Sequence, residues 1–214
     1  MKTTNSMMRA SSMALVLGLS LALPALCLAG DAAASAYQRS YEHEAAGRFH
    51  AAVKSLSAAP HALKDSYFYQ LRLGWLHYRA GDYRPAIAAY RRAAAASPRA
   101  IEPWLGRMLP EMALRLWKDA ESSARKVLRM DPKNFLANSR LAWCLYNLGR
   151  HGPAERVYQR VLTLYPANIS MRAGLGWSQV KQGKKAAALK SFSEVLAVSP
   201  RHASALQGVK VAAH

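Results

Sequence analysis

The chain has 214 residues, of which 51% are apolar and 20% charged, and its 30 Lys and Arg outnumber 12 Asp and Glu to give a net charge of +18. That apolar share excludes wholesale disorder despite the charge, and the length allows one or two packed domains. Two cysteines cannot build a disulfide framework, and no Cys/His spacing suits a structural zinc site.

Residues 1–13 carry Lys2 and Arg9 and no acid. An almost wholly apolar run from Met13 to Leu28 follows, then Ala29, Gly30 and the first acid, Asp31. A basic start, an apolar middle and a small-residue exit predict a secretory signal peptide over residues 1–29, with 30–32 as a short linker. The expected location is therefore outside the cytoplasm, periplasmic or secreted. Two weaker alternatives use the same segment. One is an uncleaved N-terminal anchor, although the run is short of the roughly 20 residues of a relaxed span. The other is lipidation at Cys27, which Leu26 disfavours because it stands where a small residue is needed. Cleavage would leave Cys144 without a partner in the chain, so a buried free thiol is expected there.

From residue 33 onward the chain repeats. Pro98, Pro132, Pro166 and Pro200 are spaced by 34 residues, as are Ala52, Ala86, Ala120, Ala154 and Ala188. Gly47, Gly81, Gly149 and Gly183 share a second phase, each five residues before its Ala. Large residues recur four positions after it, at Leu56, Tyr90, Tyr158 and Phe192. Five units result, 33–66, 67–100, 101–134, 135–168 and 169–202, with a partial capping helix over 203–214. Each unit reads as two helices. In the second unit the first helix spans about Tyr67 to Ala80 and stops at Gly81. Asp82 is expected to cap the second, which runs from Tyr83 until Pro98 forbids continuation. A pair this short cannot bury its apolar face alone, so the fold is predicted all-α, with hairpins stacked into a solenoid.

Two units depart from the pattern. The first has Pro60 early. The third has Arg107 at a usually apolar position, Pro110 inside its first helix, where a kink is expected, and Arg115 in place of the turn glycine. Arg107 and Glu111 are spaced to pair.

Leu73, Gly74, Gly81, Tyr83, Ala86, Tyr90, Ala93 and Pro98 of the second unit, with their counterparts in the fourth and fifth, resemble the tetratricopeptide repeat family. The resemblance implies a right-handed α-solenoid whose first helices line a concave face. It also implies that the second, fifth, ninth and twelfth positions of each unit point inward. Those positions carry Tyr41, Phe68, Leu71, Trp75, Tyr78, Leu105, Leu109, Met112, Leu136, Trp143, Tyr146 and Trp177. They would form an aromatic and apolar trough for a protein or peptide partner. Packing between neighbouring first helices is the competing explanation of the stripe, and the residue pattern leaves both open. The Lys, Arg and Asn set with which some members grip chaperone tails is missing from these positions.

Basic residues crowd the second helices: Arg84, Arg91, Arg92, Lys118, Arg125, Lys126, Arg129, Arg156, Arg160, Lys184, Lys185 and Lys190. They predict an outer face that aids solubility or meets an acidic polysaccharide or an anionic membrane surface. Export and the lack of aromatic interleaving argue against nucleic acid. The Glu42, His43 and Glu44 cluster points to different helix faces, and the remaining His are scattered, with His202 and His214 read as surface. No catalytic constellation, metal site or cofactor motif is expected. The sequence therefore reads as a non-enzymatic exported scaffold of a cell-envelope assembly, with an accessory of exopolysaccharide export as the alternative.

Overall fold

A computed structural model describes residues 31–213. The predicted signal peptide, Cys27 and His214 lie outside them. The described residues are helical, without strands, and none of their helices is long and apolar enough to cross a membrane. They fall into two compact units that part after Ser66.

In the first unit, α1 (31–45) and α2 (Phe49–Ser57) form a hairpin. Pro60 then opens a short 3₁₀ turn, His61–Leu63. Ala52 and Leu56 are its fully buried anchors on α2. Tyr41 projects from α1 and is exposed.

The second unit contains four hairpins and a final helix: α3 (Tyr67–Ala80) with α4 (Tyr83–Ala96), α5 (Glu102–Ala113) with α6 (Trp117–Met130), α7 (Phe135–Asn147) with α8 (His151–Leu164), and α9 (Ile169–Val180) with α10 (Lys185–Val198), then α11 (Ala203–Ala213). Each helix packs on the next in the chain. The first helices α3, α5, α7, α9 and α11 also touch one another in series. They therefore form the inner layer, and the second helices α4, α6, α8 and α10 the outer one. This is the α-solenoid arrangement. Pro110 is buried in the last turn of α5, which runs on to Ala113.

The turns are set by backbone chirality. Gly47, Gly81, Gly149 and Gly183 all have positive φ, a conformation that costs an L-residue about 1–2 kcal/mol. Arg115 adopts the same turn with φ 56° and is exposed. Arg115→Gly is accordingly expected to stabilise the fold by about 0.5–1 kcal/mol, after the extra entropy of an unfolded glycine is subtracted. Gly81→Ala should lose about 1 kcal/mol. Urea unfolding of both variants checks the pair of opposite signs.

Asp82 corrects the capping expectation. It stands at the N-cap of α4 but its side chain makes no capping bond. Its Oδ2 instead lies 3.2 Å from His77 Nδ1, five residues back across the turn. Side-chain caps form at Asn134 on α7 and Asn168 on α9, which accept from Ala137 and Met171 N–H at 3.0 Å.

Spacing between hairpins rests on one ring per hairpin. Tyr90, Tyr158 and Phe192 are almost fully buried. Burying each side chain is worth roughly 1.5–3 kcal/mol. Tyr90 and Phe192 each lie against two helix backbones at once. A Cβ on Gly74, in the same hairpin, would sit 2.8 Å from the Tyr90 ring, and one on Gly106, in the next hairpin, 2.4 Å. Phe192 lies likewise between Gly176 and Gly208, where a Cβ would sit 2.6 and 2.3 Å from its ring, and a Cβ on Gly174 would sit 2.5 Å from the Tyr158 ring. The glycines let the ring wedge between consecutive first helices.

The third hairpin inverts this arrangement. Its ring position holds Ala124, its own first helix supplies Met108, and the next first helix supplies Arg140. Met108 and Ala124 are both fully buried in the central core. Bulk moves from the second helix onto the two first helices.

Phased ion pairs tie the outer layer. Glu121 accepts from Arg150 Nη1 at 2.9 Å and from Arg125 Nε at 2.9 Å. One repeat later, Glu155 accepts from Lys184 Nζ at 2.6 Å and Gln182 Nε2 at 2.9 Å. Burial pushes the Glu155 carboxyl up, but the bonds from Lys184, Gln182 and Gln179 and the Lys184 charge outweigh it, so its pKa is held below the ordinary 4.5. A depressed carboxylate pKa contributes stability above the unfolded value and loses it as pH falls through the folded one. Glu155→Gln should cost about 1–2 kcal/mol at neutral pH. It should also flatten the acid limb of the stability curve below about pH 4.5. Denaturation midpoints measured against pH check both effects.

Candidate functional site

The inner layer of the second unit carries the trough residues. Phe68, Leu136 and Trp143 are exposed, Trp143 to 45%. Leu71, Trp75, Tyr78, Leu105, Leu109, Met112, Tyr146 and Trp177 are half-buried. Tyr41 belongs to the first unit and is exposed there. The stripe thus divides between surface and packing, and its members differ in role.

Trp143 and Tyr146 are i, i+3 neighbours on α7, stacked with rings 5.8 Å apart and 8° from parallel. Trp75 and Tyr78 repeat the pair on α3 at 6.0 Å, tilted by 43°. Trp177 is tied into the fold more firmly. Its Nε1 donates to Ser204 Oγ at 2.8 Å, and its ring meets Phe192 edge-on at 5.5 Å. Tyr146 rests against His151 at 5.2 Å, and desolvation, then the Lys181 charge, holds that imidazole below its ordinary pKa.

Between α7 and α9 the trough deepens into a hollow of about 360 Å³. Trp143 and Trp177 form its walls, with Met112, Met171, Ser170 and Arg140 around them. An adjoining hollow of about 290 Å³ shares Trp143 and Trp177 and adds Tyr146 and Gln207. No Asp or Glu lines either. His202 departs from its surface expectation. It is half-buried, lines the larger hollow, and its Nδ1 accepts from Ala205 N–H at 3.2 Å to cap α11.

Arg140 is the residue that sequence reasoning missed. Its Nη1 donates to the Leu105 carbonyl at 2.6 Å, bridging α7 to α5. Among the described residues it has no carboxylate partner. Desolvation lowers its pKa; the groups that oppose this are Tyr78, Tyr90 and Cys144. A signal was present in the sequence. Position six of successive units reads Gly106, Arg140, Gly174 and Gly208, and the preceding ring position reads Tyr90, Ala124, Tyr158 and Phe192. Arginine appears where the ring is missing.

Arg107 and Glu111 pair at 2.8 Å, and Ser123 joins them, donating to Glu111 and accepting from Arg107. Burial raises the Glu111 pKa, partly countered by the Ser123 bond and the Arg107 charge. Arg107 also covers the Trp104 ring at 4.6 Å. This cluster fastens the third hairpin.

The outer basic residues are exposed, except Lys126, which is half-buried with its ammonium 5.7 Å from the Trp104 ring. Arg125 and Lys184 are engaged by Glu121 and Glu155. Arg84, Arg91, Arg92, Lys118, Arg129, Arg156, Arg160, Lys185 and Lys190 complete this exposed set.

Cys144 is a buried free thiol that burial pushes up to about 12, so it stays protonated at neutral pH. No group of three or more His, Cys, Asp or Glu among the described residues could hold a metal ion.

The model of the tetratricopeptide repeat matches residues 37–101, 111–169 and 174–208, well over half of the chain. The chain belongs to the tetratricopeptide repeat family. No curated protein matches it. Solved structures share the repeat fold. A tetratricopeptide repeat protein from Parabacteroides merdae is 19% identical with a TM-score of 0.76, over 84% of this chain and 71% of that one. MamA from Desulfovibrio magneticus is 17% identical with a TM-score of 0.75, over 81% and 98%. YrrB, described as a TPR protein with an unusual peptide-binding site, is 21% identical with a TM-score of 0.64, over 75% and 82%. At these identities the likeness carries the repeat fold.

Proposed function

We propose that this protein is a non-enzymatic scaffold that holds a segment of a partner protein in the inner trough, with Trp143, Tyr146 and Trp177 as its principal anchors. The observation that carries the reading is Trp143. It is a large ring with almost half its surface in water, beside an apolar-walled hollow, on a helix whose other face is fully packed. Solvent-facing Trp and Tyr beside a concavity are the residues from which binding hot spots are built. The hollow's Ser, His and Arg groups give polar points among the rings, as peptide sites require. The peptide-binding site named for YrrB agrees with this use of the fold.

The site of action is the cell envelope, on the strength of the signal-like segment over residues 1–29. The exposed cations of the outer layer favour an acidic neighbour there, and their attraction is of the kind that salt screens.

A peptide array and a glycan array probed with the full chain test the reading. Peptide signals that vanish when Trp143 is replaced support it. Glycan signals with no Trp143-dependent peptide signal would replace it with polysaccharide binding.

A further inference from the structure

The hollow between α7 and α9 is apolar on most sides yet has one cation at its edge. A guanidinium has five N–H donors, and among the described residues Arg140 makes one bond, to the Leu105 carbonyl, which uses one of them. It is half-buried, with no acid among the residues lining either hollow. Removing a charge from water without an opposite charge is costly, and the penalty is recovered when a carboxylate arrives. Units whose preceding ring is present do not carry this residue: Gly106, Gly174 and Gly208 occupy its place, whereas Arg72 of the second unit follows Leu56, again not a ring, and is buried. The bond to Leu105 holds the fork over the trough, between α5 and α7.

We propose that Arg140 reads an internal Asp or Glu side chain of the bound segment, flanked by apolar residues that seat on Trp143 and Trp177 on one side and on Leu105 and Met112 on the other. The continuity of the stripe favours an internal side chain over a chain end. Apolar inner-face residues lie on both sides of Arg140, on α5 and on α9, and a terminal carboxylate would leave one side uncovered. Arginine suits the task because its planar fork grips both carboxylate oxygens. The inference rests on the trough being the binding face and adds the chemistry of what fills it.

The test is selection from a random-peptide library, displayed with linkers at both ends so that no terminus is free, against the full chain. Selected peptides are expected to share one Asp or Glu within two or three residues of aromatic or aliphatic anchors. Acetylated and amidated copies should lose about tenfold or more in affinity when that acid becomes the amide. In Arg140→Met the same change should cost less than about twofold, and Arg140→Lys should keep part of the preference. If Arg140→Met does not fold by circular dichroism, the peptide-side change against the parent protein and Arg140→Lys carries the test. Selected peptides without an acid, an acid-to-amide cost unchanged in the Arg140 variant, or a demand for a free C-terminus each overturn the proposal while leaving the trough in place. An empty selection, or binders indifferent to Trp143→Ala, overturns the trough reading along with it.

Discussion

Ala124→Tyr alone is expected to destabilise the protein by about 3 kcal/mol, although it restores the residue type found at this position in the neighbouring repeats. The reason lies on either side of it. At Gly106, Gly174 and Gly208 even a single Cβ would approach the ring of the preceding unit to 2.3–2.5 Å. Arg140 holds the equivalent place with a full side chain, and Met108 fills the space that Gly74 and Gly176 leave open in their own hairpins. A tyrosine at 124 therefore meets two occupied volumes. The triple change Met108→Ala, Ala124→Tyr and Arg140→Gly copies the arrangement of Ala142, Tyr158 and Gly174. It should recover stability to within about 1 kcal/mol of the parent, although Met108→Ala by itself removes a fully buried side chain and should cost about 2–5 kcal/mol. Urea unfolding of the single variants and the triple measures the coupling. Additive losses would show that the three positions do not share one volume.

Trp143→Ala is expected to weaken capture of the partner by about 30-fold or more, the loss of roughly 2 kcal/mol typical of a hot-spot tryptophan. It should move the unfolding midpoint little. The ring is 45% exposed and stacks on Tyr146. Trp177→Ala gives the opposite emphasis. That ring anchors Ser204 and meets Phe192 in the core against α11, so its loss should lower stability by about 3 kcal/mol as well as affinity. Thermal melts of the two variants beside their affinities for one selected peptide separate anchoring from packing. Equal loss of stability in both would make Trp143 a packing residue.

The contrast shows how far the residues alone could be read. Phase located the helices, because proline and glycine act through the local backbone: Gly81 ends α3 and Pro98 follows α4 with no help from distant contacts. The inner stripe was visible for the same reason, since position within a helix decides which way a side chain leaves it. Exposure was not visible. Trp143 and Trp177 occupy the same place in their units, and Ser170 and Tyr158 match Ser204 and Phe192 one repeat earlier; the hydrogen bond to Ser204 and the edge contact with Phe192 are what set the second apart. Asp82 looked like a cap because Asp suits that position, yet His77 across the turn takes its carboxylate. Arg140 carries no distinguishing mark of its own in a chain with 30 Lys and Arg. Its meaning comes from a pairing between position twenty-four of one unit and position six of the next, which appears once the rings are seen wedged against glycine. Glu121 and Glu155, one repeat apart, became legible as inter-hairpin ties only when Arg150 and Lys184 were found facing them.

The central claim is that partners enter by the inner layer and not by the basic outer one. A photo-crosslinking residue placed at position 143, and separately at position 129 on α6, in cells producing the full chain tests it most directly. Irradiation should yield a discrete adduct with a partner protein from position 143, identified by mass spectrometry, and none from position 129. Adducts from position 129 with position 143 silent would contradict the account and move recognition to the cationic face.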